Sequence, residues 1–197
     1  MSFYLISMLS TKIKEQTTAS HRQLESHPLF RNLNGEFDEE NYIVLLYKLH
    51  AYYSALENRY VSFFLQYPLL EINKRQRANV LKQDIENRTK KIFTSTSNQQ
   101  PQLPVIDTIW KATGALYVVE GSTLGGKFIC QSLAQFGLDP TNGAAYFSGY
   151  GEETGRMWKS FLQFMNEVAT TEAEEQEVIT TAEHVFSSLY NWLNKND

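Results

Sequence analysis

One cysteine, Cys130, stands in a chain of 197 residues. A single thiol excludes an intrachain disulfide, an all-cysteine iron–sulfur cluster and a CxxCH attachment site. It suits a reducing compartment. Prolines and glycines are also few, 5 and 10, which leans away from an all-β chain with its many tight turns. No uncharged apolar run reaches ~18 residues, so no membrane-spanning helix is expected. The apolar opening, residues 1–10, lacks a basic flank and is too short to cross a bilayer. Excess positive charge is absent as well. A net charge of −4 gives no general attraction to nucleic acid. These absences predict a cytoplasmic chain with neither a nucleic-acid nor a membrane partner.

What is present is an ordinary hydrophobic fraction, 42%, in a length suited to one domain over 1–197. Nearly every long segment has helical periodicity. Leu9, Ile13, Thr17, His21 and Leu24 recur at steps of four and three on the buried face of a first helix. The residue before Pro28 ends it. A second helix starts at Asp38, a good N-cap. Its stripe runs from Tyr42 through Leu49, Tyr53, Leu56 and Tyr60 to Phe64, and Pro68 stops it. A third, over 73–93, is basic and narrowly amphipathic, and is expected on the surface. The polar stretch 94–104 reads as a loop. Residues 105–136 read as a long, mostly buried helix broken by Gly121, Gly125 and Gly126, with a loop to about Gly151. Two last helices cover about 153–169 and 171–195, and Thr171 and Glu174 have capping-box spacing. The pattern predicts an all-α, multi-helical bundle around a long central helix.

His21 is the first candidate for chemistry. A neutral imidazole offers one lone pair to a metal, and Glu25, one turn later, can hold the other ring nitrogen. A core histidine bonded to a neighbouring carboxylate fits the same spacing, and spacing alone favours it. His50 reads as structural, His27 as a loop residue and His184 as solvated. The second candidate is Gly121-Ser122-Thr123-Leu124-Gly125-Gly126. Each glycine inside a helix costs roughly 1 kcal/mol against alanine. A kink, close approach of a flat ligand to bare backbone, or close helix packing would offset that cost. Glu120, alone in an apolar run, fits a buried acid with a raised pKa, but a hydrogen-bond partner or an exposed helix edge is the expected reading. The basic third helix (Lys74, Arg75, Arg77, Lys82, Arg88, Lys90, Lys91) is by default a solvated face, with docking of an acidic electron carrier as the functional reading.

Two stretches together resemble the haem oxygenase family. The run from Ile13 to His21 is similar to the family's opening K-E-x-T-x-x-x-H, in which the histidine is the proximal iron ligand. Lys14 matches a lysine that reaches a haem propionate in animal members, and Glu25 matches the carboxylate four residues after the histidine. The run Leu116-Tyr117-Val118-Val119-Glu120-Gly121-Ser122-Thr123-Leu124-Gly125-Gly126 is similar to the bacterial Y-V-x-E-G-S-x-L-G pattern on a glycine-kinked distal helix. Animal members carry an aspartate near the Ser122 position. Ser122 cannot supply that charge, so proton delivery must use backbone groups, waters or another side chain.

The resemblance implies a haem oxygenase-like bundle that takes haem b, held non-covalently, as both cofactor and substrate. His21 would bind the iron. Lys14, Glu25, Tyr117, Gly121, Ser122, Gly125, Gly126 and Phe186 would line the haem, with Gly121, Ser122 and Gly125 at the oxygen-binding side. Arg156 and Lys159 are the candidates for propionate contacts from the C-terminal part. Haem and O2 would yield biliverdin, CO and ferrous iron. No flavin or nicotinamide motif is visible, so a ferredoxin, flavodoxin or reductase must supply electrons. A bilin-binding photoreceptor is a possible downstream partner. Two rival classes are a haem carrier or sensor without turnover, and a thiaminase-like enzyme using Cys130.

Overall fold

Capping side chains set where the main helices begin. In the computed structural model, which describes residues 3–34, 37–94 and 99–195, α1 spans Phe3–Glu25, α2 Pro28–Arg31 and α3 Glu39–Phe64. Then come α4 (Ala78–Thr89), α5 (Ile109–Ala134), α6 (Thr154–Val168) and α7 (Glu172–Leu193). Asp38 caps α3, its carboxylate accepting from the backbone N–H groups of Glu40 (2.8 Å) and Asn41 (3.3 Å). Thr108 caps α5 and Thr171 caps α7, the latter in a full capping box with Glu174. Each such cap satisfies donors that the first turn leaves unpaired.

The elements pack as expected for an all-α chain. The long α5 lies against α7, α3 and α6, while α1 packs on α7 and α3 on α4. The α3 stripe is buried at Tyr42, Leu45, Leu46, Leu49, Tyr53, Leu56, Tyr60 and Phe64. Gly114 lets α5 approach α7 closely, since a Cβ there would lie 2.2 Å from the Val178 carbonyl oxygen.

Three expectations need correction. The central helix is not broken at its glycines; α5 runs unbroken through Gly121, Gly125 and Gly126. It also starts at Ile109 rather than near Val105, because Thr108 supplies the cap. The third helix is not the uniformly solvated basic face predicted. A 3-10 turn over Ile72–Arg75 precedes α4, and Arg75 and Arg77 are fully buried. Only Lys74, Lys82, Lys90 and Lys91 of that group are exposed. His27 lies in the bend between α1 and α2, a loop residue as expected. It is buried, its Nδ1 accepts from the Leu29 N–H at 3.2 Å, and its ring meets Tyr190 edge-on. Burial pushes its pKa down. His50 is half-buried against Phe93, and His184 is exposed.

Between α5 and α6 the chain runs as a strap of turns over 135–150. Asp84 fixes this strap by accepting from the backbone N–H groups of Ala145 (2.9 Å) and Tyr146 (2.7 Å). The Arg77 guanidinium donates to the carbonyls of Tyr146 (2.7 Å) and Gly149 (3.1 Å). Glu57 in turn holds the backbone N–H groups of Arg77 and Ala78. Among the described residues no helix is long and apolar enough to cross a membrane.

Candidate haem site

The open face of α5 is its most informative feature. Tyr117, Gly121, Leu124, Gly125 and Phe128 fall at helical spacing on one side. A Cβ built on Gly121 or on Gly125 would meet no atom within 4 Å. Leu124 is 43% and Phe128 76% exposed. The other sides of this helix are packed. An uncovered apolar stripe on a central helix marks a binding surface rather than core.

The first helix borders that face. The Tyr117 hydroxyl is hydrogen-bonded to the Thr17 side chain. His21 and Gly121 each lie one helical turn beyond this contact. His21 was expected on a buried face, and its neighbours Thr17 and Leu24 are indeed buried. Its own side chain is 51% exposed. The ring is held in place: Nδ1 lies 3.3 Å from Glu25 Oε2, and Phe186 of α7 meets it edge-on at 5.7 Å between centroids. With Nδ1 turned to Glu25, Nε2 is the nitrogen left to take a metal. Lys14 lies two turns before His21 on the same face and is exposed.

The glycines divide by role. Gly126 does not face open space. A Cβ there would come within 1.8 Å of the Phe147 carbonyl oxygen, so the strap has taken its bare face. Arg156 is tied to Glu71 (2.8 Å) and Glu153 (2.5 Å), and Lys159 is exposed. Cys130 is half-buried, and burial raises its pKa. That is the reverse of what a nucleophilic thiolate needs.

The packed side of α5 carries polar groups whose partners sequence reasoning missed. Glu120 is fully buried, where its carboxylate pairs with the Arg75 guanidinium and accepts from the Tyr150 hydroxyl at 2.5 Å. Burial pushes its pKa up against the opposing pull of Arg75. Arg75 also donates to the carbonyls of Leu70 and Met157 and to Ser160. Ser122 Oγ donates to the Val119 carbonyl at 2.6 Å, and Tyr146 Oη lies 3.4 Å from Ser122 and 3.1 Å from Tyr53 Oη. Two signals were available for these networks: Glu120, alone in its apolar run and expected to have a hydrogen-bond partner, and Glu57, an acid inside the apolar α3 stripe. Nothing in the sequence paired it with residues twenty positions away.

Among the described residues no group of three or more histidine, cysteine, aspartate or glutamate side chains could hold a metal. A metal at His21 must therefore bring most of its own ligands, as a macrocycle does. The sequence matches the family model for heme oxygenase over residues 7–195. The chain belongs to the heme oxygenase family. No curated protein matches it. Three solved structures share the fold. The heme oxygenase of Neisseria meningitidis, solved with NO and CO bound, superposes with a TM-score of 0.78 at 23% identity, covering 94% of this chain and 89% of that one. The Leptospira interrogans heme oxygenase gives 0.76 at 14%, with 94% and 98% covered. Heme oxygenase-1 of the cyanobacterium Synechocystis, in complex with heme, gives 0.70 at 17%, with 94% and 90% covered. Membership makes the chain a haem-degrading enzyme that needs haem, O2 and a reductant.

Proposed function

We propose that this heme oxygenase holds haem b non-covalently between α1 and the open face of α5, with His21 Nε2 on the iron, and cleaves it to biliverdin, CO and ferrous iron. The observation that carries the assignment is the half-exposed His21 ring, fixed through Nδ1 by Glu25, on an otherwise buried stripe bordering open Gly121 and Gly125. Tyr117, Leu124, Phe128 and Phe186 supply apolar and aromatic surface suited to a porphyrin. Gly121 and Gly125 let backbone approach the oxygen-binding side, and Ser122 gives that side a polar atom. Lys14, on the same face as His21, is placed for a propionate. Gly126 serves the strap.

When bound, haem supplies the redox chemistry, and the protein orients it and limits water. Electrons come from a ferredoxin, flavodoxin or reductase. The supply of such carriers favours a cytoplasmic location. Biliverdin could feed a bilin-binding photoreceptor, or the freed iron could be the purpose.

One equivalent of haemin is added to the purified chain, then ascorbate in air. A sharp Soret band that decays as a broad red biliverdin band grows is the expected result. A band that persists, with a protein reductant also supplied, would leave a carrier or sensor. No Soret shift would remove haem from the site.

A further inference from the structure

We infer that Tyr146, on the strap between α5 and α6, is a positioning residue for this reaction: it holds the Tyr53–Ser122 hydroxyl pair as the polar edge of the haem cleft. The inference rests on the haem reading of the open α5 face.

Three hydroxyls from three separate elements meet here. Tyr53 comes from α3, Ser122 from α5 and Tyr146 from the strap. Tyr146 and Tyr53 are buried, and Ser122 is half-buried, one residue after Gly121 and three before Gly125. The cluster thus begins in the core and ends where the open face begins. The single Tyr146 proton is shared between Tyr53 Oη at 3.1 Å and Ser122 Oγ at 3.4 Å. Ser122 commits its own proton to the Val119 carbonyl at 2.6 Å. Tyr53 is bonded to Ser122 as well, so both phenols converge on the Ser122 hydroxyl, the member of the cluster nearest the open face. Such a cluster can order water beside a substrate without any charged side chain.

The way Tyr146 is held argues against incidental packing. Asp84 takes its N–H, Arg77 takes its carbonyl, and the Arg77 guanidinium lies 5.3 Å from its ring centroid. Both flanking charges are themselves buried. Two buried ionic groups converge on the backbone of one strap residue, and that residue's only hydroxyl points at Ser122. The Phe147 carbonyl, packed on Gly126, fixes the next peptide to the same helix. Burial raises the Tyr146 pKa, so the phenol stays protonated and available as a donor.

The test is Tyr146→Phe, which removes one oxygen. The variant and the unmodified chain are each loaded with haemin, and the ferric complexes are titrated from neutral to alkaline pH by their visible spectra. A donor network stabilises the anionic form of a group in the cleft. We expect an unchanged Soret band at neutral pH, an alkaline midpoint raised by about half a pH unit or more, and several-fold slower ascorbate-driven turnover. Ser122→Ala should shift the midpoint the same way, and the double variant should add little to either. Tyr52→Phe serves as the structural control, because Tyr52 is a buried tyrosine of α3 bonded instead to Val185 and Ser188; it should leave the midpoint in place. Should Tyr146→Phe fail to fold, Ser122→Ala alone decides, and an unmoved midpoint and rate there overturn the proposal. Wild-type midpoint and turnover in Tyr146→Phe also overturn it. If the unmodified chain shows no Soret shift with haemin, the haem reading fails first and the proposal falls with it.

Discussion

Gly121→Ala should stabilise the haem-free protein and weaken its haem binding, and the structure gives both magnitudes. A Cβ at Gly121 would meet nothing within 4 Å. The substitution therefore has no packing penalty and recovers helix propensity of roughly 1 kcal/mol. In a domain of this size that raises the melting temperature by about 2–4 °C. Gly126→Ala is the matched opposite. Its Cβ would lie 1.8 Å from the Phe147 carbonyl oxygen, a backbone atom that can yield only if the strap moves. Overpacking of that kind costs about 1–3 kcal/mol, more than the propensity gained. Gly114→Ala meets the Val178 carbonyl at 2.2 Å and should fall in the same class. Thermal unfolding of the haem-free variants, followed by far-UV circular dichroism, ranks them. Haemin titration at the Soret band then measures affinity. Gly121→Ala should bind haemin at least ~10-fold more weakly, the equivalent of about 1.4 kcal/mol. If Gly121→Ala melts lower than the unmodified chain, the open-face argument is wrong. If it melts higher yet binds haemin equally well, the substrate lies elsewhere.

Arg75→Met should destabilise by about 3–5 kcal/mol, because it strands the buried Glu120 carboxylate. Adding Glu120→Gln, or lowering the pH so that Glu120 takes a proton, should return part of the loss in urea unfolding. Asp84 and Glu57 are both held at about 6, raised from 3.8 and 4.5 by burial. A raised folded value means the contribution is present below the unfolded pKa and is lost as pH rises through about 6. Between pH 7 and pH 4 these groups alone should add roughly 2 kcal/mol of stability each. Urea midpoints across that range check this, and Asp84→Asn should flatten the slope. His21→Ala should leave the melting temperature within a few degrees, since the ring is half-exposed, and abolish biliverdin formation. Retained turnover in that variant would remove His21 as the ligand.

Much of the fold was legible because its signals are local. Asp38, Thr171 and Glu174 announce helix starts through their own side chains, and the α3 stripe follows a 3.6-residue period. His21 and Glu25 are readable as a pair because four residues make one turn. The errors arose where the deciding contact was remote. Arg75 and Arg77 looked solvated because charge within a short basic window says nothing of Glu120, 45 residues away, or of a strap 69 residues on. The three glycines looked alike in sequence. Only the path of the strap separates Gly126, which faces backbone, from Gly121 and Gly125, which face open space.

The buried charges and the open glycines answer the same physical problem. A helix with one bare face must be held rigidly by its other faces, or the cleft will collapse around missing bulk. Apolar packing alone could hold α5, and replacing buried ion pairs by apolar residues is often no less stable. Hydrogen-bonded charges add direction. Arg75 ties Glu120 to the carbonyls of Leu70 and Met157, while Arg77 and Asp84 tie the strap to α4. These bonds fix register along the helix axis, which apolar contacts do weakly. Ser122 is thereby set beside Gly121, and the Phe147 peptide is pressed onto Gly126. The face that binds stays bare because the faces that do not bind are specified by bonds. An apolar triple substitution at Arg75, Glu120 and Tyr150 separates these roles. If the ion pair serves register rather than stability, that variant should keep its melting temperature while its haemin complex shows a broadened Soret band. A sharp, unmodified band would show that packing alone sets the cleft.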